Sequence, residues 1–265
     1  MCRMIVASGD IDAAKILDSL SLMAKDQNSV HEMNNDSPGS WQHLDGWGVA
    51  YLNEKGDLIV KKSQKAIFED PAVKELYSLK TNLLIAHVRR KAGSEISIHN
   101  THPFEAEHLQ LGECIFCHNG VIEDEIKFNP KYKTDGKTDS ERLFYSILTD
   151  IKDNNLKNVV DAIRSNLKTY TQTKGTNIVL STKDKTFVAM RKNEHPRYYG
   201  LMLGEGINFI LISSEKLKTF PNISWKSLQP GDVVIINNGR KHYFLNKEKM
   251  LKPSILQKIV ELVKT

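Results

Sequence analysis

The sequence predicts an α+β protein in which helices are layered on sheets. Segments with strand character outnumber helical segments, and the helices come in separate groups instead of alternating singly with strands, as they would in a βαβ repeat. The chain has 265 residues, of which 40% are hydrophobic, so it is long enough to bury a sizeable core. Because we see neither an internal repeat nor a low-complexity linker, we predict a single domain over residues 1–265.

Apolar spacing predicts the elements of the first part of the chain. The apolar run at residues 4–7 predicts a strand, and apolar residues at helical spacing over residues 11–24 predict a helix with Asp10 as its N-cap. Residues 26–44 are polar and without periodicity, which predicts a long loop of the kind that often carries function. The next predicted elements are a turn and strand at 45–51, a hairpin turn at 54–57 before a strand at 58–60, a short helix at 71–79 and a buried strand at 82–88.

The second part of the chain is predicted to be rich in strands. A strand over residues 114–118 is expected to end at Asn119-Gly120, a dipeptide typical of turns. Thr138 and the residues after it offer an N-cap for a helix over residues 141–151. The remaining predicted elements are a helix at 156–167, strands at 177–181, 186–190, 198–203, 207–212, 232–236 and 242–245, and a closing amphipathic helix at 254–263.

The composition argues against nucleic-acid and membrane proteins. The net charge of +5 comes from 37 Lys+Arg against 32 Asp+Glu and is spread along the chain, without the long basic run expected of a nucleic-acid tail. No apolar stretch approaches the roughly 20 residues of a membrane span, and no secretory signal is visible. The three cysteines do not suggest a disulfide framework. We therefore expect a cytoplasmic protein with free thiols.

Cys2 is the first candidate for chemistry. The aminopeptidase that removes start methionines accepts small second residues, so we expect Cys2 to become the amino terminus. Its α-amine, with a reference pKa of about 7.7–8.0, would then be partly neutral and close enough to take the thiol proton. This arrangement activates a nucleophile without a histidine. The competing interpretation is that Cys2 is a small apolar filler at the start of a strand.

Two metal-like patterns have structural explanations. Residues 114–118 have the spacing of a covalent haem attachment, but residues three apart in a strand point to opposite faces. No second Cys/His pair completes a zinc site there, so we expect two buried structural cysteines. His99, His102 and His108 are close in sequence, yet Pro103 and the polar residues around them suggest an ordered loop. We expect no metal and no organic cofactor.

Three further positions could form a substrate site with Cys2. Arg89 follows a buried strand, where a guanidinium could meet a ligand, and Asn119-Gly120 could supply oxyanion donors from an amide and a backbone N–H. Asp139 stands at a helix start, where it could pair with a cation. Each has an ordinary alternative, respectively a surface charge, a hairpin turn and a helix cap.

The order and spacing of these pieces resemble the class II glutamine amidotransferases, which are N-terminal nucleophile hydrolases. The matching segments are Cys2, residues 45–48 (DGWG), 86–89 (AHVR), 100–104 (NTHPF), 118–120 (HNG) and 138–141 (TDSE). The resemblance implies a four-layer αββα sandwich. It also implies that Cys2 is the nucleophile and that Asn119 and the Gly120 N–H form the oxyanion hole.

The resemblance also implies the substrate contacts. Arg89 would bind the substrate α-carboxylate, Asp139 its α-ammonium, and His102 would belong to the substrate-binding residues. The chain departs from the family pattern directly after Arg89, where many relatives have alanine and then a small residue and this chain has Arg90-Lys91. The added bulk and charge lie next to the implied substrate contacts.

The implied reaction is release of ammonia or an amine from the γ-carbonyl of glutamine or a γ-glutamyl compound, through a thioester on Cys2. Large relatives carry a synthase domain, for which 265 residues leave no room. We therefore expect either a separate synthase subunit that takes the ammonia or a stand-alone γ-glutamyl hydrolase. A catalytically idle glutamine-binding module is the alternative. The sequence leaves the oligomeric state open, a homo-oligomer included.

Overall fold

The computed structural model describes residues 1–191 and 193–247 of the protein, so the helix predicted at 254–263 lies outside the described residues. The helices are α1 (Ala13–Ala24), α2 (Asp139–Asp150) and α3 (Leu156–Thr169), and short 3₁₀ helices cover Glu32–Asn34, Pro71–Leu76 and Ile98–Asn100. The strands, in chain order, are β1 (Cys2–Gly9), β2 (Trp47–Leu52), β3 (Leu58–Ser63), β4 (Leu83–Arg89), β5 (Phe104–His108), β6 (Gly112–Ile122), β7 (Thr173–Ser181), β8 (Lys185–Met190), β9 (Met202–Glu205), β10 (Phe209–Ser213), β11 (Ser224–Ser227), β12 (Val233–Asn237) and β13 (Tyr243–Asn246).

These strands form two sheets with antiparallel pairing. The first sheet has the order β11-β9-β10-β1-β4-β2-β3, and the second has the order β13-β12-β8-β7-β6-β5. β1 pairs with β10 and β4, and β6 pairs with β5 and β7. The two strands that carry the predicted nucleophile and oxyanion residues therefore lie inside sheets, where pairing on both sides holds their backbones.

Three apolar clusters separate the layers. One lies between α1 and the first sheet, one between the two sheets, and one between the second sheet and helices α2 and α3. In β1, Ile5 and Ala7 belong to the cluster with α1, whereas Met4 and Val6 belong to the cluster between the sheets, because successive strand residues point to opposite faces. The order helix, sheet, sheet, helix confirms the predicted four-layer αββα sandwich.

The predicted start of α1 was two residues too early. The N-cap is Asp12 and not Asp10, because the Asp12 carboxylate accepts the backbone N–H of Lys15 at 3.1 Å. Two strands, β5 and β11, were not predicted. Both lie at or beside a sheet edge and expose polar side chains, so neither has the apolar run by which the other strands were recognised.

The strand predicted at residues 198–203 is mostly a turn. The backbone N–H groups of Tyr198 and Tyr199 both donate to the carbonyl of His195, and β9 begins only at Met202. Tyr198 and Tyr199 are nevertheless buried. Aromatic residues that fill the interior from a turn have the same apolar pattern as a strand, which explains the error.

The turn predicted at Asn119-Gly120 is also wrong. β6 continues to Ile122, and Asn119 and Gly120 lie opposite Asn177 and Thr176 of β7. The register shifts only between Gly120 and Ile122. The dipeptide is typical of hairpins, but here a partner strand distant in sequence supplies the hydrogen bonds of the ladder.

Buried polar side chains hold the loops at this end of the sandwich. The carboxylate of Glu141, in the first turn of α2, accepts the backbone N–H groups of Asp135 at 2.8 Å and Gly136 at 2.9 Å. Oδ1 of Asn100 accepts the N–H of Lys137 at 2.8 Å. Two segments of the family pattern, 100–104 and 138–141, are thus tied to one intervening loop.

We expect Glu141→Ala to destabilise the protein. The substitution removes the buried acceptor of two part-buried backbone N–H groups, and a hydrogen bond to a charged group contributes about 1.5–3 kcal/mol. Arg142→Ala is a matched control because Arg142 is exposed on the same helix, where a substitution typically changes stability by at most about 0.5 kcal/mol. Urea unfolding measures both. Equal effects would show that the carboxylate does not hold the loop.

Candidate functional site

The site lies between the sheets, on faces set by strand alternation. In β1 the even-numbered residues, such as Met4, face the second sheet. In β4 the odd-numbered residues, such as Ile85, face it. This parity places Cys2 and Arg89 on the inner face, directly opposite each other in the β1–β4 register. In β6 the inner face carries Cys117, and two residues further along it carries Asn119.

A hydrogen bond joins the predicted nucleophile to the predicted oxyanion residue. The backbone N–H of Cys2 donates to Oδ1 of Asn119 at 2.8 Å. This contact fixes which end of the amide faces Cys2. The amide nitrogen Nδ2 of Asn119 is buried and has no hydrogen-bond partner among the described residues. A buried donor is therefore held beside the thiol-bearing residue without being used by the fold.

Gly120 is required by the close approach of β6 and β7. A Cβ at this position would lie 2.1 Å from the carbonyl oxygen of Gly175 and 2.6 Å from Nε2 of His118. Gly175 in turn has φ +73°, and a Cβ there would meet the ring of Tyr199 at 2.2 Å. Both glycines thus allow the backbone next to Asn119 to pack directly against its neighbours.

The surroundings of Cys2 favour its thiolate. Cys2 is 5% exposed, and burial alone would raise its pKa. The positive amino terminus and the neighbouring His87 outweigh burial and lower the pKa of Cys2 to about 6. The amino group of Met1 is held near the site by donating to the carbonyl of Arg90 at 2.5 Å. At neutral pH the thiol of Cys2 is therefore ionised.

The other two cysteines are inert by comparison. Cys114 faces the helices α2 and α3, and Cys117 faces the space between the sheets, as the strand argument predicted. Both are free and buried. Burial raises the pKa of Cys114 to about 12 and raises that of Cys117 further. They are structural cysteines, as predicted.

Arg89 is buried and contacts the loop that follows β4. Its Nη2 donates to Oγ of Ser94 at 2.6 Å and to the carbonyl of Glu95 at 3.1 Å, and its Nη1 donates to the carbonyl of Asp45 at 3.4 Å. The guanidinium lies beside Cys2. Burial lowers the pKa of Arg89, and the neighbouring Cys2 opposes this effect. Arg89 thus has the predicted position at a strand end, and in this structure its donors hold the loop.

Asp139 lies at the start of α2 but does not cap it. The N-cap is Thr138, and Oδ2 of Asp139 instead accepts the backbone N–H of Ile122 at 2.7 Å. His118 is close by, with Nδ1 2.9 Å from Oγ of Ser140, and burial lowers its pKa to about 4 against the opposing effect of Asp139. Among the described residues Asp139 forms no ion pair with Arg89, so these two predicted substrate residues are not in direct contact.

His102 lies against His87 and Cys2. The ring centroids of His102 and His87 are 4.1 Å apart, and burial and nearby positive groups keep the pKa of His102 well below its ordinary value. His87 lies in the matching sequence segment 86–89, for which only Arg89 was assigned a role. Its alternation with Arg89 along β4 is the signal that could have placed it on the inner face.

A buried ion pair beside Cys2 was also missed. Arg3 is fully buried, its Nε lies 2.9 Å from Oε1 of Glu215, and its guanidinium stacks 3.7 Å from the ring centroid of Tyr198. Glu215 also accepts a hydrogen bond from Nδ2 of Asn28 at 2.7 Å. Because Arg3 follows Cys2 in β1, this pair holds the first residues of the chain in place.

The comparisons with known proteins identify the family of this chain. Residues 31–197 match the family profile described as glutamine amidotransferases class-II. This chain belongs to the class II glutamine amidotransferase family. The matched range includes Arg89, Asn119 and Asp139 but begins after Cys2. A putative glutamine amidotransferase of Haemophilus influenzae is 26% identical over 223 residues, which are 75% of each chain.

Solved structures show the same fold. The allosteric regulatory enzyme of purine biosynthesis superposes with a TM-score of 0.67 at 18% identity over 94% of this chain, which corresponds to 49% of that enzyme. A glutamine aminotransferase class-II domain protein of Silicibacter pomeroyi superposes with a TM-score of 0.59 at 17% identity, over 93% of this chain and 99% of that one. The sandwich is therefore of the N-terminal nucleophile hydrolase type.

The part of the chain that the structure describes has no helix that is both long enough and apolar enough to cross a membrane.

We expect iodoacetamide to modify Cys2 in preference to Cys114 and Cys117, with a rate that rises through about pH 6 and not near the ordinary value of 9.0. A lowered pKa means that the thiolate, which is the reactive form, is present above pH 6. His87→Gln should move this inflection to higher pH, because it removes a group that lowers the pKa. Mass spectrometry of peptides from metal-free protein, alkylated at a series of pH values, measures both effects.

His99→Gln is the matched control, because His99 is exposed and is not among the groups that act on Cys2. Its profile should coincide with that of the wild type. An inflection that stays at the same pH in His87→Gln would contradict the assigned contact between His87 and the thiol.

Proposed function

We propose that this protein hydrolyses the side-chain amide of glutamine, or the equivalent bond of a γ-glutamyl compound, through a thioester on Cys2. The observation that carries the proposal is the state of Asn119. Its Oδ1 is bound by the N–H of Cys2, and its Nδ2 is a buried donor without a partner among the described residues. Such a donor beside a nucleophile is what stabilisation of a developing oxyanion requires.

The proposed first step is attack by the Cys2 thiolate on the γ-carbonyl carbon. The C=O electrons move onto oxygen, and the negative charge is stabilised by Nδ2 of Asn119 and the N–H of Gly120. The C–N bond then breaks, and the leaving nitrogen takes a proton from the Cys2 α-ammonium, which becomes the neutral amine; we propose that this amino group is freed by removal of Met1. Water attacks the thioester, gives its proton to that amine and releases glutamate and the thiolate. No metal or organic cofactor takes part.

Arg89, Asp139 and His102 are proposed to recognise the substrate. A guanidinium can bind a carboxylate through two parallel hydrogen bonds, and Arg89 lies opposite Cys2 in the sheet. Its donors now contact Ser94 and the carbonyl of Glu95, so substrate binding would replace these contacts. Asp139 would accept from the α-ammonium with the oxygen that is not bound to Ile122.

The fate of the released nitrogen distinguishes two versions of this function. In one, a separate synthase subunit uses the ammonia; in the other, the protein hydrolyses a γ-glutamyl compound and no acceptor is needed. A panel of γ-glutamyl amides, assayed with the purified protein alone, separates them. Preference for glutamine with slow turnover favours the first version, whereas fast turnover of one substituted amide favours the second. The idle glutamine-binding module would bind without turnover.

We expect the purified protein to lack Met1 by intact mass and to release ammonia from glutamine. Cys2→Ala should abolish this release and retain glutamine binding. Asn119→Ala should lower kcat about 10²–10³-fold, because one oxyanion donor typically contributes about 2.7–4 kcal/mol. Coupled glutamate and ammonia assays measure these effects, and calorimetric titration measures binding.

Asn119→Asp is the matched variant, because it keeps an acceptor for the N–H of Cys2 and lacks the Nδ2 donor. It should lose kcat at an assay temperature below its melting temperature, which the buried carboxylate lowers. Turnover by an active protein that still carries Met1 would refute the role of the α-amine. Turnover that falls only in variants that also unfold would make Asn119 a purely structural residue.

We expect Arg89→Lys to weaken substrate capture although it keeps the charge, since lysine cannot reproduce the paired donors. Asp139→Asn should do the same, and truncating one member of a buried charge pair typically costs about 2–5 kcal/mol. The value of kcat/KM for glutamine should therefore collapse, while alkylation of Cys2 continues. Steady-state kinetics with glutamine and with an analogue blocked at both α-groups measures the discrimination.

Ser94→Ala is the control for Arg89, because it removes one loop contact of the guanidinium and leaves the guanidinium itself. It should retain wild-type discrimination between glutamine and the blocked analogue. If wild type, Arg89→Lys and Asp139→Asn discriminate equally between glutamine and the blocked analogue, neither side chain recognises the α-groups.

A further inference from the structure

Three buried side chains at the site form a cluster of metal-binding donors. Sγ of Cys2 and one ring nitrogen each of His87 and His102 lie within 4.8 Å of one another. In the sequence, His102 lies near His99 and His108, and no metal site was predicted from these three histidines. Within residues 1–191 and 193–247, the fold instead places His102 with a thiol and a different histidine.

The ring of His102 has unused capacity at this cluster. Neither Nδ1 nor Nε2 of His102 has a hydrogen-bond partner among the described residues, although the side chain is buried. Buried polar groups are normally paired, so an imidazole with both nitrogens free requires an explanation. The ring therefore has a nitrogen available to a metal ion.

His87 has the arrangement of a metal-binding histidine. Its Nε2 lies 3.3 Å from the backbone carbonyl of His118, a contact that places the ring proton on Nε2. Metal-bound histidines commonly donate their second nitrogen to a carbonyl in this way. Nδ1 of His87 is then the nitrogen that would bind an ion, which would replace the contact of His87 with the Cys2 thiolate.

The geometry points to a Zn²⁺ site formed by Cys2, His87 and His102 that holds the nucleophile in an inactive state. Thiolate and imidazole are the ligands that Zn²⁺ prefers, and three protein ligands leave one position for water. The set contains no carboxylate, which argues against Mg²⁺ or Ca²⁺. Zinc bonds of about 2.0–2.3 Å require the three donor atoms to move closer together when the ion binds.

The consequence would be reversible inhibition. Zn²⁺ binding uses the electron pair of the Cys2 thiolate that would otherwise attack a carbonyl carbon, and removal of the ion restores it. No bond of the protein is made or broken apart from coordination. Binding of the ion does not depend on the proposed function, because it needs only the three side chains.

The first test is a titration of metal-free protein. Calorimetry with ZnCl₂ should give one ion per chain, and Co²⁺ should give a thiolate-to-metal charge-transfer band. Cys2→Ala, His87→Gln and His102→Gln should each weaken binding at least about tenfold, since even partners outside the coordination sphere contribute 10–100-fold. His99→Gln, in the same loop region as His102, should bind like the wild type.

The second test uses the wild type alone, so it does not depend on the folding of any variant. Stoichiometric Zn²⁺ should block alkylation of Cys2 by iodoacetamide, and EDTA should restore it. Where turnover is measurable, Zn²⁺ should stop ammonia release with the same stoichiometry. If no turnover is detected, the alkylation assay by itself tests whether Zn²⁺ binds at Cys2.

The proposal is refuted if Zn²⁺ leaves the alkylation of Cys2 unchanged, or if binding persists in Cys2→Ala, because the ion would then sit elsewhere on the surface. An increase in turnover on adding Zn²⁺ would refute the inhibitory role.

Discussion

One hydrogen bond, from the backbone N–H of Cys2 to Oδ1 of Asn119, joins the two sheets at the functional end of the sandwich. Cys2 belongs to a strand of the first sheet and Asn119 to a strand of the second. The bond orients the amide and leaves its Nδ2 as a donor. The distance between the sheets, which the apolar cluster between them sets, therefore also sets the separation of Cys2 from this donor.

Around this bond, buried polar atoms of the described residues lack hydrogen-bond partners. Unpaired buried nitrogens of Asn119 and His102 lie beside a thiol whose pKa is low. Each such group costs free energy, and proteins accept this cost mainly where function requires it. On the other face of β1, the buried guanidinium of Arg3 is compensated in charge by Glu215 and stacks on the ring of Tyr198.

The sequence predicted the features that depend on local pattern. Apolar runs and periodicity located most strands and the three described helices, and strand alternation correctly separated Cys114 from Cys117. The same local signals misplaced Asn119-Gly120 in a turn. An Asn-Gly pair favours a hairpin only when the following strand folds back on the preceding one, and here β6 pairs with the distant β7. Edge strands with polar faces were missed for the related reason that they bury too little apolar surface to leave a pattern.

The sequence by itself determined the α+β class, the six segments of the family pattern and the candidates for chemistry, because residue type and spacing carry this information. Only the tertiary structure decided which candidates meet. It placed Cys2 opposite Arg89 through a strand register and next to Asn119 through the packing of two sheets. It also placed His102 in contact with His87, although in the sequence His102 lies near His99 and His108. These contacts join residues far apart in the chain, and pairing register and sheet packing have no counterpart in local sequence pattern.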